Sequence, residues 1–306
     1  MIASAINLTP LKRDLSCTVF HKRKMFMSPS PLKTLTREEF LKTIEEILNS
    51  YLLGNERFAS GDAEHPHQDA ETLCILAIGQ EPPCVGICCM DSRVGVGTTH
   101  DQGLGQILLN RLAGNIITDE VIGGFEYAVQ HGSRLLIVEG HSSCGAVTAA
   151  VKSILAGQKV SGKLGKIVEA LRPAVEEVKT EMKKEDKLKA IVKAIENEDF
   201  ENVLFKECID RASQRNVELG VQKIITESLP LKDALQNGQI AIVGTFYDVE
   251  TMECEPSTRL YQHYMNNQEA FDKLLDNKIE RKAPLSIPAT PQAVTTPENA
   301  HNPLII

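Results

Sequence analysis

No stretch of the 306 residues reaches the roughly 18 consecutive apolar residues that a membrane-spanning helix requires, so no span is expected. Net positive charge is also missing. Lysine and arginine total 33 against 41 aspartates and glutamates, a formal charge of −8. Such an acidic balance argues against a nucleic-acid partner, because phosphate contacts need clustered cations. Eight cysteines are too few for a disulfide scaffold. No Cys-x-x-Cys occurs, which counts against a dithiol redox motif. No internal repeat is visible. A hydrophobic fraction of 42% and a charged fraction of 24% sit near the globular average and exclude global disorder. The length suits one large domain or two ordinary ones, with a sizeable core.

The two ends differ from the middle. Residues 1–36 carry Lys12, Arg13, Lys22, Arg23, Lys24 and Lys33 against a single acid, Asp14. A basic, hydroxyl-rich and acid-poor stretch reads as a transit peptide for a mitochondrion or plastid. A plain extension, or a start at Met25 or Met27, is the favoured reading, and the chain is then cytoplasmic. No apolar run suited to a secretory signal is present. Residues 283–306 are proline-rich, which forbids helix and central strand and predicts a disordered tail. Residues 37–282 are the expected catalytic domain.

Within that domain helical and strand patterns alternate. Arg37 to Phe58 has helical period, with Phe40, Ile44, Ile47, Leu48, Tyr51 and Leu52 on one face. Short apolar runs at Cys84–Cys89, Ile107–Leu112, Arg134–Val138 and Ile240–Tyr247 predict four buried strands. Between them Asp119–His131, Gly145–Ala156 and Phe200–Ser228 read as helices. Residues 163–196 read as a long Lys/Glu-rich helical region broken near Pro173. The expected class is α/β, a single domain with a mostly parallel sheet of about four strands flanked by helices.

Two short stretches carry the chemistry. Cys88-Cys89-Met90-Asp91-Ser92-Arg93 and Gly140-His141-Ser142-Ser143-Cys144-Gly145 each follow a predicted strand. In a parallel sheet the carboxyl ends of strands lie together, so Cys89, His141 and Cys144 can converge. Two thiolates and an imidazole favour zinc, and three protein ligands leave a catalytic fourth position open. Cys144 is expected at a helix N-terminus, which favours its thiolate and lowers its pKa. Cys88 points to the opposite strand face from Cys89 and, with Cys84, belongs to the core. Ordinary buried cysteines with a core histidine, a structural zinc site closed by Asp91 or another cysteine, and a redox thiol pair remain as alternatives.

Asp91 and Arg93 share a face of an extended segment. A carboxylate clamped by a guanidinium stays ionised and can accept a hydrogen bond from zinc-bound water. Released from Arg93, it could itself bind zinc. A surface ion pair of little consequence is the plain alternative.

Together these residues resemble the β-class carbonic anhydrases, which carry Cys-x-Asp-x-Arg followed by His-x-x-Cys. Similar stretches are Gly54-Asn55-Glu56-Arg57-Phe58, Asp101-Gln102-Gly103, Arg111-Leu112-Ala113-Gly114-Asn115, Glu126-Tyr127-Ala128-Val129, Asn216-Val217 and Tyr247-Asp248, so the likeness covers about residues 38–255. The resemblance implies a zinc lyase that hydrates carbon dioxide reversibly to bicarbonate and a proton through zinc-bound hydroxide. It also implies a homodimer or higher homo-oligomer, with N-terminal helices crossing to the partner and a pocket partly built by it. Gln80 matches the glutamine that hydrogen-bonds substrate in the plant-like subgroup. Tyr127 looks like a pocket tyrosine, and Gly145 is grouped with them. Leu108 stands where that subgroup has phenylalanine. His100 is considered as a proton shuttle or as a plain surface histidine. The competing functions are a zinc hydrolase of another linear substrate such as carbon disulfide, and a zinc-stabilised scaffold without turnover.

Overall fold

Four parallel strands, β1 (Cys84–Cys88), β2 (Ile107–Arg111), β3 (Leu135–His141) and β4 (Ala241–Tyr247), form the sheet, with β5 (Cys254–Pro256) antiparallel at its edge. The order is β2-β1-β3-β4-β5. The computed structural model describes residue 32 and residues 34–256. The described residues all belong to the unit Met1–Tyr264. Most of the basic extension (residues 1–31 and 33), the expected domain boundary at 282 and the proline-rich tail 283–306 lie outside the described residues.

β1 and β3 are buried at every position, which is why both appear in the sequence as unbroken apolar runs. On one face Val85, Ile87, Leu136 and Val138 meet Val121, Ile122 and Phe125 of α4 (Asp119–Gln130). Val217, Val221 and Ile224 of α8 (Val203–Glu227) complete that core. The long helix α1 (Arg37–Ser60) opens with a capping box, Thr36 and Glu39 exchanging side-chain-to-backbone bonds, and ends at Gly61 with φ +84°. It lies against β3, β5 and the short α3 (Val96–Thr99). α5 (Gly145–Ala156) follows β3 directly. The remaining helices are α2 (Ala70–Leu76), α6 (Leu164–Lys184), α7 (Leu188–Glu196) and α9 (Leu229–Gln236). No helix among the described residues is long and apolar enough to cross a membrane.

The expected break at Pro173 does not occur; α6 runs through it and the chain turns only at residues 185–187, where Asp186 has φ +56°. Pro173 is exposed, so the carbonyl it leaves unpaired faces water, while Leu171, Ala174, Val175, Val178 and Met182 anchor the opposite face. β5 adds a fifth strand to the expected four. At three residues it is too short to show a period.

Candidate metal centre

The register of β1 against β3, Ile87 opposite Val138, brings the carboxyl ends of the two strands side by side. Cys89 follows β1, His141 ends β3, and Cys144 is the N-cap of α5. Their ligand atoms all lie within 4.8 Å of one another, and all three residues are buried. The two sulfurs are 3.9 Å apart. Tetrahedral zinc with bonds of about 2.3 Å would set two sulfurs roughly 3.8 Å apart. His141 Nδ1 lies 2.9 Å from the Ser142 carbonyl, which can only accept, so the proton sits on Nδ1. Nε2 keeps its lone pair and is buried without a hydrogen-bond partner. An orphaned imidazole nitrogen beside two thiols at that spacing fits a zinc ion.

Local backbone supports the sulfurs. The amides of Asp91 and Gly114 donate to Cys89 Sγ at 3.4 and 3.3 Å. Gly114 has φ +68°, and a Cβ there would approach Leu171 Cδ1 to 3.0 Å and Ala146 Cβ to 3.3 Å, so glycine suits this close approach. Asn216 Nδ2 fixes the same residue by donating to its carbonyl at 2.9 Å. The Cys144 thiol and these amides together push the Cys89 pKa down. Cys144 is pushed up, chiefly because it shares its proton with Cys89. The pull expected of the helix N-terminus on Cys144 is present. The amides of Ala146 and Val147 do pull its pKa down, but the neighbouring thiolate outweighs them. Cys84 and Cys88 are core thiols, raised to about 12 by burial.

Asp91 is turned to Arg93. Its Oδ1 accepts from Arg93 N and Nε, both at 3.0 Å, and its Oδ2 from Nη2 at 2.8 Å. These bonds hold the carboxyl down at about 2. Arg93 Nη2 also reaches the Ser143 carbonyl at 3.2 Å, linking the two motif loops.

Three further residues have places that the sequence alone does not show. Arg111 Nε donates to the Cys89 carbonyl at 3.1 Å and Nη2 to the Asp91 carbonyl at 2.5 Å. Its signal was its position one strand over, Arg111 opposite Cys88. Asp210 accepts from the Ser143 amide at 2.9 Å, steadying a residue with φ +55°. His100 is fully buried against Glu139 and so is neither a surface histidine nor a solvent-facing shuttle.

The expected substrate residues fall in two places. Gly145 opens α5 next to Cys144. Gln80 lies on the exposed segment leading into β1, at the opposite end of that strand from Cys89. Leu108, second residue of β2, pairs with Val85 and packs on the core near that same end. Tyr127 is 52% exposed near the end of α4 and stacks on His131 at 3.9 Å.

A sequence profile of the family described as carbonic anhydrase matches residues 84–254. Carbonic anhydrase 2 of Mycobacterium tuberculosis is 34% identical over 198 residues, 64% of this chain and 84% of that protein. A carbonic anhydrase of Mycolicibacterium smegmatis is 41% identical over 123 residues, 40% of this chain and 60% of that protein. Among solved structures, the β-carbonic anhydrase CafA of Aspergillus fumigatus aligns with a TM-score of 0.51 at 25% identity, covering 75% of this chain and 97% of that one.

Proposed function

The chain belongs to the β-class carbonic anhydrase family, and on that footing we propose that Cys89, His141 and Cys144 hold the catalytic zinc while Asp91, fixed by Arg93, handles the proton. The reaction is the zinc-dependent, reversible hydration of carbon dioxide to bicarbonate and a proton. The observation that carries the reading is the buried Cys–His–Cys cluster with an unpartnered imidazole nitrogen. Zinc held there would lower the pKa of bound water below its free value of about 15.7, less strongly with two thiolates than with three imidazoles.

The protein's own groups set the geometry. Both lone pairs of Asp91 Oδ1 are taken by Arg93, whereas Oδ2 accepts only one bond from it. Oδ2 therefore has a lone pair left for a hydroxyl donor. A carboxyl held at about 2 is a poor store for a proton, so Asp91 orients the donor and passes the proton on. Gly145 begins α5 beside Cys144, and the next two amides, of Ala146 and Val147, favour negative charge on the Cys144 sulfur.

Gln80, Leu108 and Tyr127 sit towards the amino ends of the strands, away from their own chain's cluster. That separation supports a homodimer, or a larger assembly of dimers, in which these residues serve the partner's site. The proposed location is the cytoplasm, or a mitochondrion or plastid if the basic stretch within residues 1–36 acts as a transit peptide, and a fluorescent fusion of the full chain tests it.

Stopped-flow hydration of carbon dioxide at pH 7 and 8.5, with zinc quantified on the same sample, tests the assignment. Turnover that disappears with the zinc in Cys89→Ser is expected. Zinc without turnover at either pH would favour carbon disulfide or a scaffold role.

A further inference from the structure

His100, Glu139 and Cys254 form a second group of metal-binding side chains that the carbon dioxide chemistry does not use. Glu139 stands two residues before His141, on the same face of β3. His100 closes α3 and Cys254 opens β5. Exposure is 0% for His100, 1% for Glu139 and 8% for Cys254. Their ligand atoms all lie within 4.8 Å of one another.

The spacing suits a tetrahedral cation. Glu139 Oε2 is 3.2 Å from His100 Nε2 and 3.5 Å from Cys254 Sγ. Zinc bonds of about 2.0 Å to nitrogen or oxygen and about 2.3 Å to sulfur would set these separations at roughly 3.3 and 3.6 Å.

The hydrogen bonds also suit one. Thr99 Oγ1 donates to the Gly95 carbonyl at 3.3 Å, so at 3.0 Å it accepts from His100 Nδ1. A ring proton is thereby placed on Nδ1, and Nε2 stands opposite the Glu139 carboxylate at 3.2 Å. Nε2 has no hydrogen-bond partner, and neither has the equally buried Glu139 Oε1. A neutral imidazole in that place would set a lone pair against the carboxylate in a dry interior, and a cation seated among them would turn the repulsion into ligation. Around the group, Tyr51 Oη and Thr245 Oγ1 donate to Glu139 Oε2 at 2.7 and 3.3 Å, and the Tyr51 ring stacks on His100 at 4.0 Å. Such outer partners orient ligands. A neutral imidazole, a carboxylate and a thiolate balance a divalent ion, leaving no net charge buried.

We propose that His100 Nε2, the Glu139 carboxylate and Cys254 Sγ form a buried, structural zinc site that ties α3, β3 and β5 together beside α1. The sulfur and imidazole donors favour zinc over magnesium or calcium. The unpartnered Glu139 Oε1 would supply the fourth donor, and because all three residues are buried the ion is taken up as the chain folds.

The test is zinc content of the full-length protein, purified without chelators and dialysed against metal-free buffer. About two zinc ions per chain are expected in the wild type, about one in Cys89→Ser, about one in Cys254→Ala and none in the double variant. Cys254→Ala should still hydrate carbon dioxide. One zinc in the wild type and none in Cys89→Ser would overturn the site and leave a buried imidazolium–carboxylate pair. One zinc that survives Cys89→Ser but not Cys254→Ala would sustain this site and remove the catalytic assignment instead. Should Cys254→Ala fail to fold, cobalt(II) loaded into the Cys89→Ser/Cys144→Ser double variant, which has no thiol left in the other cluster, decides. A sulfur-to-cobalt charge-transfer band is expected, and its absence refutes the proposal.

Discussion

Arg93 grips Asp91 with both arms of its guanidinium, Nε to Oδ1 at 3.0 Å and Nη2 to Oδ2 at 2.8 Å, and rests Nη2 on the Ser143 carbonyl at 3.2 Å. One residue pair thereby spans the loops that carry Cys89 and Cys144. Asp91→Asn keeps the shape but replaces an acceptor-only group with an amide. Zinc content should be unchanged, while turnover falls by about 100-fold or more, the range for a lost proton-handling group. Full activity at neutral pH would remove Asp91 from the reaction.

Arg111 braces the same loop from β2 through the carbonyls of Cys89 and Asp91. Truncation leaves the three ligands in place but frees the backbone between Cys89 and Asp91. Arg111→Ala should retain zinc and lose about 10-fold or more in kcat, as small misplacements of reacting groups do. An unchanged kcat would mean that the Arg93 clamp alone positions Asp91.

Gln80 and Cys89 sit at opposite ends of β1, so in a dimer they would serve different sites. Gln80→Ala and Cys89→Ser should each be nearly inactive as homodimers. Co-expressed, they should form mixed dimers with one competent site, combining zinc from one chain with Gln80 from the other. Activity no higher than the sum of the two separate variants would place Gln80 outside the partner's pocket.

The parts of this molecule that could be read from sequence are those whose signal is local. β1 and β3 appear as apolar runs because both of their faces are covered, and α1 shows its period over many turns. Cys89, His141 and Cys144 were legible because parallel strands gather their carboxyl ends. Pro173 misled because a proline's effect depends on whether the carbonyl it orphans meets water. The His100, Glu139 and Cys254 group left no trace. Each is a lone residue; strand register, with Glu139 opposite Thr245 and Tyr247 opposite Cys254, brings two of them together, and the end of α3 brings His100. Arg111 was quoted within a familiar stretch, but its reach to two carbonyls depends on the pairing of β2 with β1.

Glu185, just past α6, accepts from both amino groups of Arg211 on α8 at 2.7 and 3.3 Å and lies 2.8 Å from Lys187 Nζ. Arg211 first, then Lys187, hold its carboxyl down at about 2, against an ordinary 4.5. A depressed folded-state pKa contributes stability above the unfolded value, and that contribution is lost as pH falls through the folded one. Wild type should therefore exceed Glu185→Gln in thermal midpoint at pH 6, by a margin that salt reduces. The two should converge between pH 4.5 and 2. A difference independent of pH would assign the effect to packing instead.

Gly140 lies between the two buried clusters of β3, where α8 crosses the strand. A Cβ there would stand 2.6 Å from Val217 Cγ2 and 3.3 Å from the Ser213 carbonyl. Val217 is buried and β-branched, so its methyl has little freedom to turn away. Gly140→Ala should cost about 1–3 kcal/mol by overpacking, pressing α8 off the sheet. Val217→Ala removes the obstructing methyl and leaves a small cavity of its own. The added methyl at residue 140 fills part of that cavity, so the double variant should be more stable than the sum of the single losses. Urea unfolding of all four proteins at matched zinc occupancy gives the coupling directly. Additive losses would show that Gly140 is constrained by the Ser213 backbone rather than by the Val217 side chain.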